Sequence, residues 1–433
     1  MNACEQSLAS PSEQAPVTTR PPAPPELAEI PSDGIVQRSA LDGWLLSRLL
    51  AHLGSPPVEF AVRDSARVVG GAEAPLVRVT FANRATLLSI MVDPAMRFGD
   101  AYSEGSVTIE GDLVSLLESI YRAGATATPR ASLLRRAIAR LHRPHINTLA
   151  GSRDNIHHHY DIGNEFYALW LGRTMAYTCA YYPTADATLD AAQVAKMDHV
   201  CRKLRLRTGE RVVEAGCGWG TLALHMARNY GVRVRAFNIS HEQVAHAREQ
   251  AARLGLSGSV EYVEDDYRSI DGQYDAFVSV GMLEHVGLRN YPTLGHIAAR
   301  CLGGRGRGLI HSIGRNQPAP LQPWIEKRIF PGAYPPSLGE MSRIFEPWDL
   351  SVLDVENLRL HYAQTLRHWL ALYEAASERV RGMFDEKFVR MWRLYLAGSV
   401  AAFTTGTLQL FQVVFAPREN NDIPWTRAHL YNR

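Results

Sequence analysis

The sequence predicts an α/β protein with a parallel, doubly wound sheet, preceded by a small α+β unit. Three observations carry this expectation. The apolar run in Arg211-Val-Val-Glu-Ala-Gly-Cys-Gly-Trp-Gly220 stops in a loop with glycines at 216, 218 and 220. A segment of helical character, 221–229, follows at once. Strand-like and helix-like stretches then alternate, the pattern of parallel strands joined by covering helices.

In chain order, residues 1–36 hold Pro11, Pro16, Pro21, Pro22, Pro24, Pro25 and Pro31 and few large apolar groups, which reads as a disordered tail. Residues 37–125 form the small unit. There 41–50 has helical spacing, 77–81 alternates like a strand, and 107–121 reads as strand, turn and helix. Residues 126–153 form a linker. Within it Leu134, Ile138 and Leu141 share one helical face, while Arg135, Arg136 and Arg140 lie away from it. Such a basic amphipathic helix can lie on an anionic membrane surface, or pack between domains with its basic side solvated. Residues 154–433 are the main domain. After the glycine loop, strands are expected at 232–237, 259–263, 274–280 and 308–313, and an apolar strand at 408–415. Ser240 with Gln243 three residues on is a capping-box pattern for the helix after the second strand.

At 433 residues, two or three domains fit. A formal net charge of +2 argues for no nucleic-acid partner. No apolar run approaches the ~20 residues of a membrane span, and the N-terminus lacks the pattern of a secretory signal. The five cysteines are Cys4, Cys179, Cys201, Cys217 and Cys301. They are scattered, without metal-ligand spacing, and suit a reducing cytoplasm. His157, His158 and His159 are adjacent, and adjacent side chains rarely converge on one ion, so no metal is expected.

The glycine loop brings a backbone close to a nucleotide-like ligand. A dinucleotide site normally shows GxGxxG and an acidic ribose anchor about 20 residues on. Here the spacing is GxGxG with bulky Trp219, and Asn238 ends the second strand. Asp266 follows the third strand, placed to accept from an adenine amino group. These features favour S-adenosylmethionine over NAD.

Further motifs identify a family. His159-Tyr-Asp-Ile-Gly-Asn-Glu-Phe-Tyr167 resembles HYDxGNxFY, and Met175-Ala-Tyr-Thr-Cys-Ala-Tyr-Tyr182 is similar to MxYSCAYF with Thr178 in place of Ser. Val278 to Gly287, Trp324 to Gly332, Tyr362 and Leu410 to Phe415 also fit, and Phe98 to Gly105 and Ile109 to Asp112 resemble its N-terminal domain. The chain thus resembles the cyclopropane-fatty-acyl-phospholipid synthases, S-adenosylmethionine-dependent methyltransferases with a Rossmann-like class I sheet.

The resemblance implies addition of a methylene bridge across a cis double bond in a phospholipid acyl chain. It implies a bound bicarbonate as base, held by Cys179, Glu284, His311, Ile313 and Tyr362. The Cys179 amide, a His311 ring N–H, the Tyr362 hydroxyl and the Ile313 amide would donate to the anion, and Glu284 would accept its O–H. Glu284 as the base itself, or as a helix cap, remains an alternative. Cys179 as a nucleophile lacks an adjacent base. For the cofactor, Glu214, Gly216, Gly218 and Gly220 are expected at the methionine moiety and ribose. Gln243 reaches the ribose or sulfonium side, Asp266 and Tyr267 frame adenine, and Tyr160 and Tyr177 close over the methionine end. Tyr160, Phe166, Tyr167, Tyr177, Trp324 and Tyr362 are candidates to stabilise a cation, though aromatics more often fill cores. The partner implied is an unsaturated phospholipid, reached by peripheral association with the inner face of the cell membrane through the N-terminal unit and basic linker; a homodimer is possible. Competing readings are a methylene- or methyl-branched product, methylation of a soluble small molecule, or non-catalytic lipid binding.

Overall fold

The computed structural model describes residues 38–71, 75, 77–126 and 162–431. The Pro-rich tail, the basic linker helix, His157 to His159 and Tyr160 lie outside the described residues. No described helix is long and apolar enough to cross a membrane.

The N-terminal unit holds α1 (Ala40–His52), β1 (Val58–Val62), β2 (Ala66–Val69), β3 (Val77–Phe81), α2 (Arg84–Val92), α3 (Pro94–Ser103), β4 (Val107–Gly111) and α4 (Leu113–Thr126). Its four strands form one sheet in the order β2-β1-β3-β4. In the main domain come α5 (Asn164–Ala168), α6 (Leu189–Lys203), β5 (Arg211–Ala215), α7 (Thr221–Tyr230), β6 (Arg233–Asn238), α8 (His241–Arg253), β7 (Val260–Glu264) and β8 (Tyr274–Val280). They are followed by α9 (Leu283–Val286), α10 (Tyr291–Cys301), β9 (Leu302–Gly314), α11 (Pro323–Arg328), α12 (Leu338–Phe345) and β10 (Leu350–Asn357). Helices α13 (Arg359–Ala375), α14 (Ser377–Met383) and α15 (Glu386–Thr405) then lead into β11 (Gln409–Pro417).

The main sheet has seven strands in the order β10-β11-β9-β8-β5-β6-β7. The ladders from β9 through β8, β5 and β6 to β7 are parallel, as expected. β11 departs from that expectation: it runs antiparallel to both β9 and β10. The reason lies in the delivery of the chain. α15 ends at Gly406, whose left-handed φ of 81° turns the backbone, and Gln409 then enters beside Gly314 at the finish of β9. A strand starting there can only run back. Both sheet faces are covered. Met197, Val200, Leu222 and Val244 pack on one, and Leu294, Ile297, Met341 and Ile344 on the other.

The two units meet at α15 and α11. The Arg390 guanidinium donates to the carbonyls of Tyr102 and Val107 and stacks 4.4 Å from the Tyr102 ring. Trp324 donates to Asp100 at 3.1 Å, and its indole stands 2.5 Å from where a Cβ on Gly99 would be. Trp324 is therefore part of this junction.

Close packing on the second face sets a test. A Cβ on Gly295 in α10 would lie 1.9 Å from the Ile344 carbonyl oxygen, whereas one on Gly382 in α14 meets nothing within 4 Å. Gly295→Ala is expected to lower unfolding free energy by about 1–3 kcal/mol or more, because a backbone atom cannot swing aside. Gly382→Ala should be neutral or stabilising by up to about 1 kcal/mol. Chemical denaturation of both variants checks the contrast.

Candidate functional site

The carboxyl ends of β5, β6, β7 and β8 open onto a cleft, the place where doubly wound sheets bind ligands. Seven sequence-predicted cofactor residues line it: Tyr177, Glu214, Gly216, Gly218, Gln243, Asp266 and Tyr267. Gly216 takes φ 84°, and a Cβ there would stand 2.8 Å from Met282. Only glycine lets the loop pass at that spot.

Gly220 does not line the cleft, contrary to expectation. It caps α7 in the left-handed region, and the Tyr262 ring fills the space where its side chain would be. The Tyr262 hydroxyl donates to the Gly220 carbonyl at 2.7 Å. The third glycine thus serves loop-to-strand packing. The expected capping box also forms only by half. Ser240 accepts from the Gln243 amide, but the Gln243 side chain turns to accept from Asn238 Nδ2 at 2.7 Å. Asn238 also donates to the Gly218 carbonyl at 3.1 Å, so it braces the glycine loop from the next strand. Trp219 is anchored by its indole N–H on Asn164 Oδ1 at 2.7 Å. Asp266 is buried and accepts from the Arg268 amide at 2.9 Å, which fixes its carboxylate at the cleft edge.

Lys196 of α6 and His285 of α9 also border the cleft. Neither was singled out from the sequence. A lysine in an apolar helical stripe carries no mark of its own until the sheet behind it is known.

Thr178 and Gly281 pack together in the lining of the cleft. The missing Cβ of Gly281 admits the Thr178 methyl, which a Cβ would meet at 2.7 Å. The Gly281 amide donates to the His311 carbonyl at 2.9 Å, bringing β9 against this lining. Glu284 and Ile313 are brought together directly: the Ile313 amide donates to Glu284 Oε1 at 2.6 Å. That amide, expected to face an anion, is thus engaged by the carboxylate. Glu284 Oε2 is buried without a partner among the described residues. Burial pushes the Glu284 carboxyl up to about 7. His311 is buried; its Nδ1 meets Gln412 Nε2 at 3.0 Å, and its Nε2 has no partner among the described residues. With Gln412 donating, Nδ1 accepts and Nε2 carries the proton. Burial holds the imidazole far below its usual range, so it is neutral.

Cys179 and Tyr362 approach through Leu358. The Leu358 carbonyl accepts from the Tyr362 amide and lies 3.9 Å from Cys179 Sγ, and its amide donates to Leu410, the register partner of Ile313. Burial raises the Cys179 thiol well above its ordinary range, which removes the thiolate a nucleophile needs. The Tyr362 ring packs 4.6 Å from Phe403 and 6.0 Å from Trp369. Phe166 and Tyr167 are fully buried among Trp170 and Trp392, the core role weighed for them above. Tyr177 joins that cluster through Trp170 and Trp369, yet borders the cleft, with its hydroxyl 2.7 Å from that of Tyr395.

Comparison with known proteins bears out the family and the fold. Residues 148–413 match the family model described as mycolic acid cyclopropane synthetase, and residues 45–131 match a domain of unknown function. A "Probable fatty acid methyltransferase" of Pseudomonas putida is 37% identical over 80% of this chain and 89% of its own length. The cyclopropane-fatty-acyl-phospholipid synthase of Escherichia coli K12 is 39% identical over 61% of this chain and 68% of its own. Among solved structures, mycolic acid cyclopropane synthase CmaA1 complexed with SAH and CTAB superposes with a TM-score of 0.58 at 28% identity, covering 61% of this chain and 98% of that one.

The raised carboxyl makes a pH prediction. A carboxyl whose folded pKa lies above its unfolded value binds more protons when folded, so stability falls as pH rises from about 4.5 to about 7. Glu284→Gln removes that contribution. Thermal melts of both proteins from pH 5 to pH 8 should show the wild type losing about 1–3 kcal/mol relative to the variant as pH rises.

Proposed function

The chain belongs to the mycolic acid cyclopropane synthetase family, and from that premise we propose that it methylates the cis double bond of an unsaturated phospholipid acyl chain and closes a cyclopropane ring. The carrying observation is two buried polar atoms without partners among the described residues, Glu284 Oε2 and His311 Nε2, on residues tied to the cleft through the Gly281 amide, which donates to the His311 carbonyl.

The cleft fits S-adenosylmethionine: a glycine backbone, buried acidic groups at Glu214 and Asp266, and an aromatic flank at Tyr177 and Tyr267. When bound, that cofactor supplies an electrophilic sulfonium methyl. Asp266 and Tyr267 would hold the adenine end, Gly216, Gly218 and Gln243 the ribose, and Tyr177 the methionine end. An alkene is a weak nucleophile, so its alignment in a dry site is what the protein must provide. Methyl addition leaves positive charge on the acyl chain, and loss of a proton from the new methyl closes the ring. The faces of Tyr177 and Tyr362 suit that charge.

The orphaned atoms fit a small oxyanion such as bicarbonate, which would supply the base. His311 Nε2–H, the Tyr362 hydroxyl and the Cys179 amide would donate to it, and Glu284 Oε2 would accept its O–H. Ile313 acts through the carboxylate it holds. For access to lipid, α1 presents Leu41 and Trp44, both about half exposed, with Arg48 stacked 5.3 Å from Trp44. An apolar and aromatic face with a cation beside it suits peripheral docking on the cytoplasmic leaflet.

The second reading keeps the first step and ends in a methylene- or methyl-branched chain. The Pseudomonas putida relative, named a fatty acid methyltransferase and matching 80% of this chain, favours it. Mass spectrometry of lipids from expressing cells separates the two. A product heavier by one CH₂ that survives hydrogenation unchanged is expected; a product that takes up hydrogen overturns the ring. For the base site, Glu284→Gln should lower turnover about 10²-fold or more while S-adenosylhomocysteine affinity stays near wild type.

A further inference from the structure

Gln412 is the one polar residue in the apolar run 410–415 of β11, and it is fully buried. The strand registers set it between His311 of β9 and Glu356 of β10, so the three side chains form one row across the sheet. Glu356 closes the outer end of the row. Its carboxylate meets His199 Nε2 at 2.7 Å and the Lys203 ammonium at 2.6 Å. Burial works to raise the Glu356 carboxyl, but His199 and Lys203 hold it down to about 2. His311 closes the inner end. The contact between Gln412 Nε2 and His311 Nδ1, at 3.0 Å, is the one hydrogen bond the Gln412 side chain makes among the described residues. Its Oε1 has no partner among them. A buried amide is costly unless it is hydrogen-bonded, and an apolar residue would fill this strand at lower cost. The amide therefore answers to the imidazole and not to the packing of the sheet.

We propose that Gln412 is the positioning residue that keeps the His311 proton on Nε2, the nitrogen offered to the small oxyanion that serves as base. This rests on the reading of Glu284 and His311 as the base site. A neutral imidazole carries one proton on either nitrogen, and the partner of one nitrogen selects which. Burial keeps the His311 ring uncharged, and the Lys196 and Lys203 ammonium groups add to that effect. A second proton therefore does not supply the donor. With Gln412 donating to Nδ1, the single ring proton stays on Nε2.

The test is heteronuclear NMR of the full chain carrying isotope-labelled histidine, with His311→Asn to assign the signal. In the wild type, His311 should show its proton on Nε2 and a hydrogen-bonded acceptor at Nδ1. In Gln412→Met, close in size and without the amide, the Nδ1 signal should move to that of a free imidazole nitrogen and the second tautomer should appear. Methyl transfer to unsaturated phospholipid vesicles gives the other readout. Gln412→Met should need about tenfold more bicarbonate for half-maximal rate, while KM for S-adenosylmethionine stays within about twofold of wild type. A merely structural role would not move the ring signals, and it would not split the two concentrations. The proposal is overturned if the wild-type proton sits on Nδ1, if the His311 signals are unchanged in Gln412→Met, or if that variant keeps the wild-type bicarbonate dependence. If Gln412→Met does not fold, the wild-type spectrum decides: a bonded Nδ1 with the proton on Nε2 supports the proposal, and the reverse overturns it. A wild-type rate that does not depend on bicarbonate overturns the anion reading and this inference with it. A wild type that transfers no methyl overturns the proposed function, and the spectra alone then decide what Gln412 does to His311.

Discussion

The 2.6 Å hydrogen bond from the Ile313 amide to Glu284 Oε1 ties the finish of β9 to the short helix that follows β8. Everything at the functional end leans on that tie. α9 is barely one turn long and has no side-chain cap, so the carboxylate is what pins it to the sheet. The pinned helix brings His285 to the cleft, and the Glu284 carbonyl accepts from the Tyr334 amide, which draws in the loop behind α11. With one carboxylate oxygen so engaged, the other is left buried and open. A buried acceptor without a partner costs roughly 1–3 kcal/mol, which the fold carries for a reason outside its own packing.

The same logic applies to two more atoms. Glu284 Oε2, His311 Nε2 and Glu214 Oε2 are all buried and unpartnered among the described residues, while the surrounding core is apolar and aromatic. Stable cores hydrogen-bond their buried polar atoms. Exceptions occur elsewhere among the described residues too, such as the indole N–H groups of Trp170 and Trp369, but these three are carboxylate and imidazole atoms, the groups that do acid–base chemistry. On the proposed reading, Glu214 serves the cofactor, Glu284 and His311 serve the base, and the aromatic cluster of Tyr167, Trp170, Tyr177, Trp369 and Trp392 keeps water from the reacting carbon.

Local chemistry was legible in the sequence, and distant convergence was not. The loop at 216 and 218 and the acidic residue at 266 follow from their own neighbours, Tyr177 follows from the family resemblance, and all reach the cleft. Gly220 was misread because a capping glycine and a ligand-contacting glycine look alike in a GxGxG string. The Tyr262 ring that distinguishes them comes from another strand. Gln243 matched a capping box, yet tertiary contact with Asn238 claimed its side chain. The direction of β11 was hidden for a similar reason: an apolar run reads the same both ways, and only the exit of α15 sets its sense. Cys179, Glu284, His311, Ile313 and Tyr362 come from separate stretches and became a set only through family resemblance.

Transfer of labelled methyl from S-adenosylmethionine to phospholipid vesicles is the most direct measurement, with unsaturated and saturated acyl chains compared side by side. Label should enter unsaturated lipid and stay out of saturated lipid. Label on a water-soluble acceptor without vesicles, equal labelling of saturated lipid, or no transfer at all would contradict an enzyme that methylates acyl double bonds.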